Sequence, residues 1–258
     1  MTEDVYANPF RFALGQRRPL AGIWSMLNDS DVVEGLGWAG FDWILLDGEH
    51  SPMNLADATS HLRALTGSPT VPILRPVWND QVLLKQYLDI GARTIMLPYV
   101  QTAEEARRAV AGMRYGPDGV RGFAAMHRAS RFGAVPDYVH RAAEGLFLIV
   151  QIETASAVAH LEEIASVPGV DAVFFGPGDL SASMGYLGQP GADEVTRLIE
   201  NAGRRARDAG AWTGVLAPDA ALADHYMEAG FDFVSVTTDC ALLFNGARDV
   251  ARHHAAAR

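Results

Sequence analysis

Short, unbroken apolar runs recur along the chain, separated by longer stretches in which apolar positions return every third or fourth residue. Unbroken runs fit strands buried on both faces, and the 3.6-residue period fits amphipathic helices. A helix over 8–15 comes first and caps one end of the fold, followed by a strand at 20–24. Asp29 or Ser30 starts a helix that stops at Gly37, and a strand occupies 43–46. A helix over 55–65 stops at Gly67 and leads to a strand at 71–74. Asn79 or Asp80 starts a helix over 82–90, closed by Gly91 ahead of a strand at 93–97. Thr102 and Glu105 have capping-box spacing for a helix over 102–114.

The stretch 115–137 has little periodicity, and a loop that long inside a compact domain is usually functional or mobile. A strand at 146–150, a helix over 155–166 and a strand at 170–175 follow. A connector at 180–184 leads to a helix over 193–209, a strand at 212–216, a helix over 218–230 and a strand at 233–236. A last helix runs from 241 into His253 and His254. Eight strands alternating with helices predict a (β/α)8 TIM barrel. A doubly wound sheet seldom uses so many strictly alternating units.

A length of 258 residues suits one large domain or two small ones. No linker or short repeat divides the chain, so a single domain over 1–258 is expected. Hydrophobic content of 49% with 20% charged residues supports a sizeable core and argues against disorder. The formal net charge of -10 argues against a nucleic-acid partner. Cys240 is the one cysteine, which excludes an internal disulfide and fits a reducing compartment. The acidic start, Met1 to Val5, lacks the apolar segment of a secretory signal, and no run is long enough to span a bilayer. A cytoplasmic protein without membrane contact is the expectation.

In such barrels the chemistry gathers at the C-terminal ends of the strands. Those ends carry Asp47, Glu49 and His50 on the second strand, Arg75 on the third, Gln151 and Glu153 on the fifth, and Gly178 and Asp179 after the sixth. Each has an ordinary structural explanation. Asp179 fits an N-cap, Glu153 a cap or an exposed position, and Arg75 a surface ion pair. His50 fits a loop backbone contact, and Gln151 a bond to the adjacent strand. Their concentration on one face points to chemistry instead. Two carboxylates at one mouth suit Mg²⁺ or Mn²⁺, hard cations that keep waters and accept substrate oxygens, better than a closed zinc cage. An arginine beside them can grip a carboxylate bidentately, and His50 can move a proton near neutral pH. The combination points to a chelated 2-oxo acid whose enolate a cation stabilises. A Schiff-base route needs a lysine. The single lysine, Lys85, lies inside a helix four residues before Asp89, where an i,i+4 ion pair is the simple explanation.

Five segments in order resemble the HpcH/HpaI aldolase family over nearly the whole chain: Gly22-Ile23-Trp24, the run 43–52, Leu74-Arg75-Pro76 with Trp78-Asn79-Asp80, the run 150–154, and 175–181. The resemblance implies a class II pyruvate aldolase that uses a divalent metal, Mg²⁺, Mn²⁺ or Co²⁺, held by Glu153 and Asp179. It implies that Arg75 binds the pyruvate carboxylate and supports the enolate, that Gln151 lines the site, and that the Gly178 and Asp179 amides meet the carboxylate. His50 becomes the proton-transfer residue, with Asp89 as its orienting partner, a role that competes with the Lys85 ion pair. Asp47 buttresses the loop. The family usually has Ala where Gly178 stands. The implied substrates are a 2-oxo acid and an aldehyde, and the implied assembly is a homo-oligomer, a hexamer with exchanged C-terminal helices. The 123–133 segment, with His127, Arg128 and Arg131, and the regions of Leu216 and Val236 are candidates for the aldehyde pocket. A solvated loop or a subunit contact explains those arginines equally well. Rival outcomes are oxaloacetate decarboxylation through the same enolate, a citramalyl- or malyl-CoA lyase, and a catalytically dead barrel that only binds a small molecule.

Overall fold

All eight apolar runs become parallel strands, and the sheet closes on itself as β1-β2-β3-β4-β5-β6-β7-β8 with β8 back against β1. The computed structural model describes residues 4–255, so the outermost ends of the 1–258 span lie outside the described residues. Helix α1 (Pro9–Leu14) precedes β1 (Leu20–Ser25), and α2 (Ser30–Gly37) leads to β2 (Trp43–Asp47). Then come α3 (Leu55–Ala64), β3 (Val71–Arg75), α4 (Gln81–Asp89), β4 (Thr94–Leu97) and α5 (Ala103–Met113). Helix α6 (Tyr138–Arg141) precedes β5 (Phe147–Ile152), and α7 (Ala155–Ala159) with α8 (Leu161–Ala165) precedes β6 (Ala172–Phe175). The chain closes with α9 (Pro177–Ser183), α10 (Asp193–Asp208), β7 (Trp212–Leu216), α11 (Ala220–Glu228), β8 (Phe233–Thr238) and α12 (Asp239–Ala255).

The period of two along each strand divides the apolar residues into two cores. Leu20, Trp24, Trp43, Leu45, Ile73, Met96, Phe147, Ile149, Phe174 and Phe233 fill the barrel interior together with Phe10 and Leu14 of α1. Their strand neighbours, such as Ile44, Leu46, Leu148, Val150 and Val173, pack outward against the helices. Phe10 meets Phe147 and Phe233 edge-on, with ring centroids 5.3 and 5.2 Å apart, so α1 plugs the N-terminal end. Side chains that size fit because the inward positions Gly22 and Gly214 carry no Cβ. A Cβ at Gly22 would overlap the Trp43 ring, and one at Gly214 would overlap Phe233 and Phe174.

The structure corrects several local expectations. The connector at 180–184 is the second half of α9, which starts at Pro177. The helix expected over 155–166 breaks at His160, whose φ of -103° and ψ of 14° leave the helical region. Thr102 accepts from the Glu105 amide, but the Glu105 carboxylate accepts from the Gln101 amide, so the reciprocal half of the capping box is missing. The 115–137 stretch holds a bridge between Tyr115 and Arg121 and a short 3₁₀ turn, Arg128–Ser130. Among the described residues no helix is long and apolar enough to cross a membrane.

These contacts set two glycines apart. Gly22→Ala forces a methyl into the buried Trp43 ring and should lower stability by about 3 kcal/mol. Gly35→Ala, with open space at its Cβ in the exposed face of α2, should raise it by about 0.5–1 kcal/mol. Urea midpoints of the two variants check both signs.

Candidate active site

Continuing the inward face of each strand past the packed interior gives Trp24, Asp47, Arg75, Gln151 and Glu153. Asp47 and Arg75 stand opposite each other in the β2–β3 ladder, so their side chains meet on the same face. Arg75 donates from Nε to Asp47 Oδ1 at 2.9 Å and from Nη2 to Oδ2 at 2.8 Å, a fork-on-carboxylate pair. The Trp24 indole N–H donates to Asp47 Oδ2 at 3.1 Å, and the Trp24 ring lies 4.6 Å from the Arg75 guanidinium carbon. Burial alone would raise the Asp47 carboxyl. The bonds and charge of Arg75, the indole and the Glu49 amide outweigh it and hold the group below its ordinary range.

From Arg75 the hydrogen bonds run outward. Nη1 donates to Gln151 Oε1 at 3.2 Å, and Gln151 Nε2 donates to Glu153 Oε1 at 3.0 Å. This order fixes the amide, because only its oxygen can accept from a guanidinium and only its nitrogen can donate to a carboxylate. The other Glu153 oxygen accepts from the Tyr99 amide at 2.9 Å. Tyr99 takes the left-handed backbone conformation, φ 54°, which a bulky aromatic residue rarely adopts. Glu153 is only 3% exposed, and burial pushes its carboxyl up to about 7. The Tyr99 amide and Arg75 work against that rise, whereas the charges of Glu49 and Asp179 add to it.

Asp179 lies in the first turn of α9, and Gly176 at the head of that helix lies against Glu153: a Cβ there would stand 2.5 Å from Glu153 Oε1. Pro177 has no N–H and no side chain caps this helix, so the Gly178 and Asp179 amides are its open donors. A Cβ on Gly178 would meet open space. Glu49 Oε2 is 2.7 Å from Arg75 Nη1 and 3.8 Å from His50 Nε2, yet it is buried and accepts no hydrogen bond of good geometry. Burial raises the Glu49 carboxyl, with Arg75 and His50 opposing and Asp47 and Asp179 adding. The His50 side chain is 58% exposed at the rim. Leu216 ends β7 and packs on the inner core.

Asp89 does not join this group. It sits at the end of α4, where Arg121 Nη2 reaches its Oδ1 at 2.7 Å and His127 Nε2 lies 3.7 Å away. Neither the expected contact with His50 nor the ion pair with Lys85 forms among the described residues, because the buried Arg121 of the 115–137 stretch takes the carboxylate. Glu49, named at the end of the second strand but given no role there, belongs to the site, and so does Tyr99, which was not singled out. Tyr99 contributes a backbone amide, for which a sequence has no signal.

The carboxylates have the chemistry of a cation site. Glu153 is buried yet poised to ionise near neutrality, Glu49 Oε2 accepts no well-aligned hydrogen bond although Arg75 Nη1 is 2.7 Å away, and Asp179 is close enough to raise both groups. With Arg75 already forked onto Asp47, these three carboxylates leave the mouth short of positive charge. No three His, Cys, Asp or Glu side chains among the described residues stand close enough to enclose an ion. The oxygen donors of Glu153 and Asp179, two rather than a closed set, fit a hard divalent cation that keeps waters and open positions.

Comparison with known proteins gives a consistent set of relatives. The family model described as HpcH/HpaI aldolase/citrate lyase matches residues 20–246. A 4-hydroxy-2-oxo-heptane-1,7-dioate aldolase from Salmonella dublin is 47% identical over 245 residues, 95% of this chain and 93% of the relative. The crystal structure of a family protein from Burkholderia cenocepacia J2315 superposes with a TM-score of 0.91 at 37% identity, covering 96% of this chain and 99% of that one. An HpcH/HpaI aldolase from Desulfitobacterium hafniense DCB-2 gives a TM-score of 0.85 at 28% identity, covering 94% and 95%.

The raised Glu153 carboxyl makes metal-free stability depend on pH. The unfolded chain releases this proton near pH 4.5 and the folded protein near 7, so stability falls as pH climbs between the two, by about 3 kcal/mol in all. Glu153→Gln removes that penalty. In chelator, the variant's stability relative to the parent should improve by about this much from pH 5 to pH 8. A pH-independent difference in urea unfolding would contradict the raised carboxyl.

Proposed function

The chain belongs to the HpcH/HpaI aldolase/citrate lyase family and is a carbon–carbon lyase of the aldolase kind; from that premise we propose that the mouth of its barrel cleaves 4-hydroxy-2-oxo acids to a pyruvate-type 2-oxo acid and an aldehyde, reversibly. The observation that carries the reading is the unbroken hydrogen-bonded line Asp47–Arg75–Gln151–Glu153, which ends at a carboxylate in need of a cation.

Glu153 and Asp179 are the residues that would hold the divalent metal. When bound, it supplies a Lewis acid for the keto oxygen and favours the charge that develops there as the C3–C4 bond breaks. Arg75 does the rest of the electrostatic work. Asp47 fixes one edge of its guanidinium, and Gln151 with Glu49 flanks Nη1. The open Nη2 N–H, with Nη1 shared, is thus held toward the substrate without reorganising, and these are the donors for its anionic oxygens. They grip the substrate carboxylate and keto oxygen. The Gly178 and Asp179 amides receive the other carboxylate oxygen. Gln151 keeps the Arg75 and Glu153 side chains in register. Trp24, beneath Arg75, closes the floor against water.

His50, exposed at the rim beside Glu49, takes the proton of the C4 hydroxyl, and the aldehyde leaves past it. A proton returned to C3 then releases pyruvate. The aldehyde end points out of the barrel mouth toward solvent, since the packed interior blocks the other direction. We also infer that α12 docks on another copy of the chain. Leu242, Leu243, Phe244 and Val250 are exposed along it, an apolar face that a lone chain would leave in water. Sedimentation velocity should show an oligomer, and a monomer at micromolar concentration would sink the assembly.

Exchange of pyruvate C3 protons in deuterium oxide reads the half-reaction directly. It should require a divalent cation, stop in chelator, and be lost in Glu153→Ala and Asp179→Ala. Arg75→Ala should lower kcat/KM for cleavage by at least ~100-fold, and Arg75→Lys should recover little, because an ammonium cannot fork onto Asp47 while facing the substrate. Full exchange in chelator would remove the metal from the mechanism. Carbon dioxide from oxaloacetate with no aldehyde from a 4-hydroxy-2-oxo acid would replace the aldolase by a decarboxylase.

A further inference from the structure

Two aromatic side chains at the rim have no role in the chemistry so far. Trp78, in the loop after β3, and Tyr99, in the loop after β4, stack with ring centroids 6.0 Å apart and planes 28° apart. Both stay open to solvent, at 53% and 43% exposure. Stacked, the two rings present one continuous aromatic face to solvent. Tyr99 is also the residue whose amide bonds the Glu153 carboxylate and whose backbone is held at φ 54°. Its backbone is therefore anchored on Glu153, while its ring is held by the stack on Trp78. Backbone strain of this kind persists only where the surroundings enforce it, and here the enforced residue is the one whose amide meets Glu153.

We propose that the stacked Trp78–Tyr99 pair is one wall of the aldehyde subsite and selects aldehydes with flat, apolar tails. The inference rests on the aldolase reading above and goes beyond it by assigning the acceptor class. With the 2-oxo acid end held by Arg75 and α9, the aldehyde end must point out of the barrel, past Glu153 and across this rim. An aromatic face is the negative part of the ring's quadrupole. It offers a stacking surface to an aryl tail and no attraction to a tail ending in a carboxylate. The Salmonella relative's name implies the other kind of acceptor, since a heptanedioate yields an aldehyde bearing a second carboxylate.

The test compares acceptors in the pyruvate-condensing direction, with benzaldehyde, propanal and 4-oxobutanoate as probes. The parent enzyme should favour benzaldehyde over 4-oxobutanoate in kcat/KM. Trp78→Ala should lower the benzaldehyde-to-propanal ratio of kcat/KM roughly three- to tenfold, the size of an aromatic pair contact, and Trp78→Phe should restore most of it. Tyr99→Asn, which tolerates the left-handed backbone, should lower the ratio in the same way. A ratio within one variant does not depend on how much enzyme is active, so partial misfolding leaves the readout intact. An unchanged ratio in Trp78→Ala, or a parent preference for 4-oxobutanoate, overturns the proposal. So does a change of oligomeric state in both variants, which would assign the rings to a subunit contact. Absence of metal-dependent C3 exchange in the parent instead overturns the aldolase reading itself, a separate result.

Discussion

A cation and an anion buried together at the mouth of the barrel, Arg75 and Asp47, are the constraint from which the site follows. Neither charge could be left there alone. An unpaired ion at that depth would be strongly destabilising, and the fork geometry with the indole and the Glu49 amide satisfies both groups. Once Arg75 is pinned along one edge, its remaining N–H groups have one direction to face. Gln151 relays that direction to Glu153, and Glu153 meets the head of α9. Four side chains on three strands thus behave as one rigid body. Electrostatic catalysis depends on such rigidity, since donors that need not reorient stabilise developing charge at no added cost.

Rigidity in the mouth depends in turn on the layer beneath it. Trp24 stacks on Arg75 from above the aromatic interior, and its own ring is tilted against Phe174, 5.6 Å away. Phe174 touches Phe233, and Phe233 touches Phe10 of the plugging helix. Inward glycines on β1 and β7 leave room for this column of rings. The interior therefore serves both as the hydrophobic core and as the floor on which the guanidinium rests.

Opposite that ordered floor, the anionic side of the site is unsatisfied. A protein selected for stability alone would not bury Glu153 beside Glu49 and Asp179 with one arginine to share. Such local conflict is expected at functional positions, where binding a ligand supplies the missing charge.

Strand placement and the barrel were legible in the sequence because burial on both faces leaves apolar runs that few other structures produce. The clustering of polar residues at strand ends was legible for the same reason, since Asp47, Arg75, Gln151 and Glu153 each terminate a run. The sequence could not say which partners those residues would choose. Asp89 lay at helical spacing from Lys85, but Arg121, thirty-two positions along the chain, arrived with a buried guanidinium and took the carboxylate. Glu105 turned to the Gln101 amide in place of Thr102. Tyr99 entered through its amide, a group every residue except proline has, in a conformation its side chain disfavours. Periodicity is local and survives in one dimension. Pairing depends on distances that exist only after the sheet has closed, and the closing of the barrel, not the order of residues, decided which charges would share a site.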